Sequence, residues 1–390
     1  MREAVIVPAV RSPVGKARGS LSPLKPHELA SAVVKEALIR SLIDPSRIEE
    51  VMYGSVMSKE YNNIARVVGL ASGLPVSTPG ISFDRQCGTS LNAVAYASIL
   101  IESGVHDVVL AGGVEMDTRR PWVMGRVEQS FQAAPPEFLP PTVTPPEFGN
   151  ASMVATAENV ARKYGITRTD CDAFAVESHR RAIAAWNSGR FDSQIVPIVV
   201  PAGKGTTAVF AKDEIMRESS METMAALRVA GGAEGGVVTA GNSSPTCDGA
   251  SAVLVMERSA AESSGSPILG AYRGYASVGV DPDIMGIGPV YAIRKLLKAK
   301  GMTLGDIDLI EINEAFASQS IACVRELGID PEKLNVNGGA IALGHPLAAT
   351  GGILIAKILC ELKRRNAELG LISFCVGGGQ GVAMLVHRME

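Results

Sequence analysis

Three residues stand in settings where chemistry could be done. Cys87, in Arg85-Gln86-Cys87-Gly88-Thr89-Ser90, sits where a strand or loop passes into a stretch of helical spacing, residues 90–103. A cysteine at a helix N-terminus faces the positive end of the dipole and free backbone N–H groups, and both favour the thiolate that attacks carbon. The alternative is a small buried hydrophobe. His345 is held between Gly344 and Pro346 in a tight connection, ahead of a helix from about residue 348. Such a turn can hold an imidazole rigidly at a sheet end as general base for a thiol, or it can make a capping or core histidine. Cys375 opens the run Cys375-Val376-Gly377-Gly378-Gly379-Gln380-Gly381. Its glycines can converge backbone N–H groups on an oxyanion, or can make a β-turn beside a core thiol.

Asn313, at the polar tip of the apolar run 309–312, could orient a water or a carbonyl, or cap the next helix. Cys171, Cys247, Cys323 and Cys360 lack such settings and read as structural. No His/Cys cluster has zinc spacing, and the glycine run lacks both the Walker lysine and a strand-to-helix GxGxxG. No metal and no bound cofactor is called for.

Short apolar runs at 5–10, 51–56 and 107–112 read as strands, and 29–42 and 90–103 as helices. That alternation predicts α/β layers with buried, largely parallel strands. The chain also repeats itself. Residues 47–54 resemble 306–313 and residues 108–113 resemble 373–378, about 260 positions apart, while 252–257 resemble 383–388 about 130 apart. Two related halves, the first interrupted by about 130 extra residues, fit both offsets. The interruption, from about 120 to 242, begins with a proline-rich piece, 133–148, whose three Pro-Pro pairs exclude a helix or an inner strand. That piece is either a stiff surface loop or a segment for subunit contact or covering a ligand. Helical stretches follow at 153–164 and 170–188, with Thr167 or Thr169 as cap.

At 390 residues the chain suits two or three packed units, and 46% hydrophobic with 20% charged residues is a globular balance. A formal charge of -3 gives no basic surface for nucleic acid. Six scattered cysteines without a CxxC pair imply reduced thiols in a cytoplasmic setting. The first apolar run, after Met1-Arg2-Glu3, reads as a strand rather than a secretory leader, and no run approaches the roughly 18 apolar residues of a membrane span.

Together these motifs resemble the thiolase family, enzymes that make or break the bond joining an acetyl unit to an acyl-CoA. The resemblance covers nearly the whole chain. It rests on Gln86-Cys87-Gly88, on Asn313-Glu314-Ala315-Phe316, on the Gly338 to Pro346 run, and on the Cys375 to Gly381 run. Residues 156–159, 239–242, 248–250 and 285–289 support it.

The resemblance implies an αβαβα sandwich of two βαβαβαββ halves, residues 1–120 plus 243–265 and residues 266–390, with an inserted CoA-binding loop domain at 121–242. It implies that Cys87 is acylated, His345 activates it, and Cys375 moves the acetyl α-proton. Asn313 would hold a water that, with His345, binds the thioester oxygen, and the N–H groups of Cys87 and Gly377 would form a second oxyanion hole. Arg217 would meet the nucleotide end of CoA, Ser244 and Ala240 the pantetheine path, and Met153, Ala315 and Phe316 the thioester end. CoA is then substrate or product, and a homodimer or homotetramer is expected. Departures from the family pattern at Asp117, Ser152, Gly231 or Gly232, Pro245, Ala348 and Ile353 touch the CoA channel and substrate pocket. The rival readings are a non-catalytic acyl-CoA or lipid-binding protein on the same fold, and another condensing enzyme of the superfamily.

Overall fold

The computed structural model describes residues 2–126, 131, 136–232 and 235–389. The apolar runs become strands β1 (Ala4–Arg11), β2 (Glu50–Gly54), β3 (Gly80–Phe83), β4 (Val108–Met116), β5 (Cys247–Glu257), β6 (Gly270–Gly279), β7 (Leu309–Ile312), β8 (Leu369–Val376) and β9 (Gln380–Arg388). The helical spacings become α1 (Pro26–Ser41), α2 (Ile64–Ala71), α3 (Thr89–Glu102), α4 (Met153–Tyr164), α5 (Arg168–Asn187), α6 (Gly288–Lys300), α7 (Ala317–Leu327) and α8 (Thr350–Arg365).

The strands follow one hydrogen-bonded path, β3-β2-β4-β5-β1-β6-β9-β8-β7. Leu334 continues the far end through a parallel bridge to Ile310. Numbered within its own half, each half has the order third, second, fourth, fifth, first. The directions also agree. Parallel, parallel, antiparallel and antiparallel pairings in the first half recur in the second. The three sequence repeats fall on equivalent strands: β2 with β7, β4 with β8, and β5 with β9. The halves meet where β1 and β6 pair antiparallel over Val5–Ala271 and Ile6–Gly270. One expectation fails in detail. The third strand of the second half is reduced to the Leu334 bridge, because Asn335 adopts φ 43, outside the extended region a strand needs.

Strand alternation then decides the layers. Val5, Val51, Tyr53, Leu110 and Leu254 face α1 and α2 on the outside of the first half. The alternate residues Ile6, Met52, Val109 and Val253 face α3 and α8, as do Ile372, Phe374, Val382 and Met384 from the second half. Ile310, Leu371, Ala383 and Leu385 turn the other way, toward α6 and α7. The result is helix, sheet, helix, sheet, helix, the expected αβαβα sandwich.

α3 and α8 form the middle layer and are buried on nearly all sides. Glycine permits their contact, since a Cβ on Gly351 would lie 2.1 Å from the Leu91 backbone nitrogen. Lys357 of α8 is stabilised in this core by an ion pair of 2.9 Å with Glu311. Between β4 and β5 lie α4, α5 and a hairpin, Ile198–Gly203 with Thr206–Phe210, which pairs apart from the main sheet. α4 is capped by Ser152, and α5 by Thr167 rather than Thr169, in a capping box with Asp170. Residues 136–148 hold only a bridge, Met124–Phe138, and one 3-10 turn, Pro146–Phe148, as the proline pairs dictate; 133–135 lie outside the described residues.

The central contact is checkable. Gly351→Ala should destabilise the fold by about 1–3 kcal/mol through overpacking against backbone, read as a lowered urea midpoint at unchanged m-value. Gly279→Ala, where an added Cβ meets nothing within 4 Å, should change stability by less than about 0.5 kcal/mol.

Candidate active site

The reactive positions collect at the carboxyl ends of the parallel strands, where open α/β sheets place their ligands. Cys87 lies in a 3-10 turn, Gln86–Gly88, between β3 and α3. Gln86 takes φ 44 there. The Thr89 hydroxyl holds the turn, accepting the Arg85 N–H at 2.9 Å and donating to the Gln86 carbonyl at 2.7 Å. Gly54, ending β2, leaves room for it, since a Cβ there would lie 2.1 Å from the Thr89 methyl.

His345 comes from the other half, between a one-turn helix, Ala340–Leu343, and a 3-10 turn, Leu347–Ala349, that runs into α8. Its Nδ1 shares a hydrogen bond of 2.7 Å with Thr350 Oγ1, and its buried Nε2 has no protein partner. The turn is clamped onto first-half strands. Ser251 of β5 donates to the Ala349 carbonyl at 2.7 Å, and Gly113 of β4 sits so close that a Cβ would be 2.1 Å from the Ala348 oxygen. The Gly352 N–H donates to Ser90 Oγ at 3.0 Å, which joins the start of α8 to the start of α3. Cys87 and His345 flank that junction.

Cys375, fully buried near the end of β8, pairs with Gly381 across the β8–β9 turn and packs with Met285, Ala315 and Phe316. Gly378 and Gly379 take φ 80 and 76 in that turn, a left-handed path that glycine permits. Gly377, just before them, directs its N–H toward the Cys87 sulfur. Asn313 follows β7. Its N–H donates to the Ser373 carbonyl at 3.0 Å, while both polar atoms of its buried side chain lack a partner. Ser244 donates from N–H and hydroxyl to the Ala315 carbonyl at 3.0 and 3.1 Å, so Ser244, Ala315 and Phe316 adjoin Cys375. Met153, first residue of α4, lines a small gap with Val143 and Gly378. Ala240 is exposed in a turn, and Arg217 lies on an exposed stretch whose N–H reaches His179 at 3.5 Å; neither makes a contact with the thiols among the described residues.

Electrostatics correct one sequence expectation. The helix N-terminus does not leave Cys87 as a resting thiolate. Burial pushes its thiol up to about 11, although N–H groups of Gly377 and Cys87 itself pull it down, and the Glu115 and Asp84 charges add to the rise. Desolvation outweighs the end of a dipole. Burial drives the Cys375 thiol well above its usual range and holds the His345 imidazole down at about 4. At neutral pH the site therefore holds two thiols and a neutral imidazole able to take a proton at Nε2. The Asn313 side-chain amide, buried with no protein partner, offers a donor and an acceptor of its own.

Two positions that the sequence reading passed over support the site. Thr350 orients His345, and Glu115, a carboxylate inside an apolar strand, accepts backbone N–H groups from two turns around it. An acidic residue within the apolar run 108–116 is the signal that could have found the second. Beside the Cys87 turn runs a polar groove of about 490 Å³, lined by Asp84, Arg85, Gln86, Thr142–Pro145, Gly377 and Gln380.

The raised thiol is open to measurement. Iodoacetamide should alkylate Cys87 about tenfold faster per pH unit between pH 7 and 10, with a midpoint near 11. A rate already at its plateau at pH 7, the mark of a resting thiolate, would contradict the burial argument.

Comparison with known proteins agrees with this geometry. Family profiles described as "Thiolase, N-terminal domain" and "Thiolase, C-terminal domain" match residues 4–259 and 266–388. The chain is 44% identical to 3-ketoacyl-CoA thiolase of Bacillus subtilis, over 98% of each chain. It is 42% identical to acetyl-CoA acetyltransferase of Pseudomonas aeruginosa, over 100% of each. The crystal structure of the Bacillus anthracis acetyl-CoA acetyltransferase superposes with a TM-score of 0.93 at 40% identity, covering 100% of this chain and 99% of that one. A chain matched end to end by both domain profiles, with two like-ordered halves closing on two thiols and an imidazole, belongs to the thiolase family and is a thiolase-type acyltransferase.

Proposed function

We propose that the enzyme exchanges acyl groups between CoA and Cys87 by a ping-pong route, cleaving 3-ketoacyl-CoA or, in reverse, condensing two acetyl-CoA molecules. The observation that carries this is the closeness of the Cys87 and Cys375 thiols, with the turn after His345 packed on the Cys87 turn, and a buried imidazole Nε2 and Asn313 amide that have no protein partner. In cleavage, His345 Nε2 takes the Cys87 proton and the sulfur adds to the 3-keto carbon. The bond between C2 and C3 breaks, and its electron pair goes to the acetyl-CoA enolate, whose α-carbon takes the Cys375 proton. CoA then gives its thiol proton to the Cys375 sulfur and displaces the acyl group, and Cys87 recovers its proton from His345. Splitting the exchange at an acyl-cysteine replaces one hard step by two easier ones.

The enolate oxygen needs preorganised donors in a dry site, and His345 Nε2 with a water held by Asn313 supplies them. The N–H groups of Cys87 and Gly377 serve the thioester oxygen at Cys87. In this reading CoA lies along the inserted unit at 121–242, between the halves 1–120 plus 243–265 and 266–390. Ser244 and Ala240 line the pantetheine arm, Met153, Ala315 and Phe316 the thioester end, and Arg217 meets the nucleotide. CoA is substrate and product, with no further cofactor. Six free thiols fit a reducing, cytoplasmic setting.

Serine replacements divide the labour of the two cysteines. Cys375→Ser should still gain an acetyl adduct from acetyl-CoA, seen by mass spectrometry. It should lose exchange of acetyl α-protons with deuterated water by about 10²–10⁴-fold. Cys87→Ser should form no adduct. Wild-type proton exchange in Cys375→Ser would remove Cys375 from the acid/base role.

We further propose a homodimer through the free edge of the first half. β3 ends the sheet path, and its Ile81 lies exposed on the same strand face as Phe83, with the α3 residues Tyr96 and Ile99 also exposed. Phe83 of β3 stacks edge-on with Tyr96 at 5.5 Å, so these residues share one face. An apolar face beside an unpaired edge is an assembly surface. Light scattering should give at least a dimer at micromolar concentration, and Ile81→Lys should shift it toward monomer; a wild-type monomer there would overturn the proposal.

A further inference from the structure

Glu115 is a buried carboxylate, 1% exposed, with no cation at ion-pair distance among the described residues. Its Oε1 accepts the N–H groups of Met57 at 2.9 Å and Ser58 at 3.0 Å, and the Ser58 hydroxyl at 3.1 Å. Its Oε2 accepts the N–H groups of Val56 at 3.0 Å and Ala348 at 3.3 Å. An unpaired buried charge is costly and is retained only where many donors hold it. The four amides belong to two different turns, one linked to the Cys87 loop through Gly54 and Thr89, the other following His345 directly.

The first turn, 56–58, follows Gly54, whose backbone packs on Thr89, the residue that locks the Cys87 loop. The second contains Ala348 and leads in two residues to Thr350, the partner of His345 Nδ1. The carboxylate thus spans from a first-half loop beside Cys87 to the second-half turn that carries His345. It does not promote ionisation, since its charge adds to the rise of the Cys87 thiol. Its contribution is distance and angle.

We propose that Glu115 is a positioning residue for His345, fixing through the Ala348 N–H the turn that presents Nε2 to Cys87, with its other oxygen anchored behind the Cys87 loop. This rests on the reading of His345 as the base. Small displacements of a reacting group cost about 10- to 100-fold in rate.

The test measures single-turnover acetylation of Cys87 by acetyl-CoA, and steady-state thiolysis of acetoacetyl-CoA, in the full chain. Glu115→Gln should lower kcat and the acetylation rate by about 10- to 100-fold while KM for both substrates stays within about twofold. Glu115→Asp, which keeps two acceptor oxygens where Gln keeps one, should recover part of the loss. Added to His345→Ala, Glu115→Gln should slow acetylation by less than about twofold, because a residue acting through His345 has nothing left to act on. Wild-type kcat in Glu115→Gln, or a further tenfold loss on the His345→Ala background, would overturn the proposal. If Glu115→Gln does not fold, Glu115→Asp takes its place with a smaller loss expected, and wild-type kcat in Glu115→Asp or a further tenfold loss on the His345→Ala background would again overturn the proposal. Wild-type acetylation in His345→Ala alone would instead overturn the base assignment, so the two failures are distinguishable.

Discussion

The structure depends on one close approach, the start of α8 against the start of α3. Gly351 lies against the Leu91 backbone where no side chain fits, and the Gly352 N–H donates to Ser90 Oγ at 3.0 Å. Both helices are surrounded by sheet, so neither can slide to relieve a misfit without opening the core. Cys87 precedes one of these starts and His345 the other. A contact that looks like core packing therefore also fixes the relation between two reactive side chains that lie far apart in the chain.

The duplicated topology explains why the site forms at this edge. In both halves the parallel strands end on the same side, and their loops converge there. The halves then diverge in what they deliver. The first supplies Cys87 and the clamp of Gly113, Glu115 and Ser251. The second supplies Asn313, His345 and Cys375. Because the His345 turn rests on strands of the other half, its imidazole is aligned only when the two halves are packed together.

Burial gives this site its chemical character. Burial holds both thiols above their usual range and the imidazole below it, which favours the neutral form of all three groups. A dry environment also strengthens any hydrogen bond made to a developing oxyanion. The unpartnered atoms of Asn313 and His345 are free to bond a water or a polar ligand in such a site.

Much of this was legible in the residues. Apolar runs with period two or 3.6 located strands and helices within a few positions, since that periodicity is local. Three short repeats were enough to expose two halves, because equivalent strands keep similar patterns of burial. Cys87, His345, Asn313 and Cys375 stood out because each combines a reactive or polar side chain with glycine or a strand end. What the sequence by itself determined was thus the elements, the repeat and the reactive side chains. Tertiary structure alone decided the rest. It reversed the expected thiolate, since desolvation depends on everything packed around a sulfur and no local motif encodes it. It reduced the third expected strand of the second half to a single bridge at Leu334, because the backbone turns at Asn335. It also brought the Glu115 carboxylate to Ala348, a hydrogen bond across two halves whose partners only the packed sheets bring within reach.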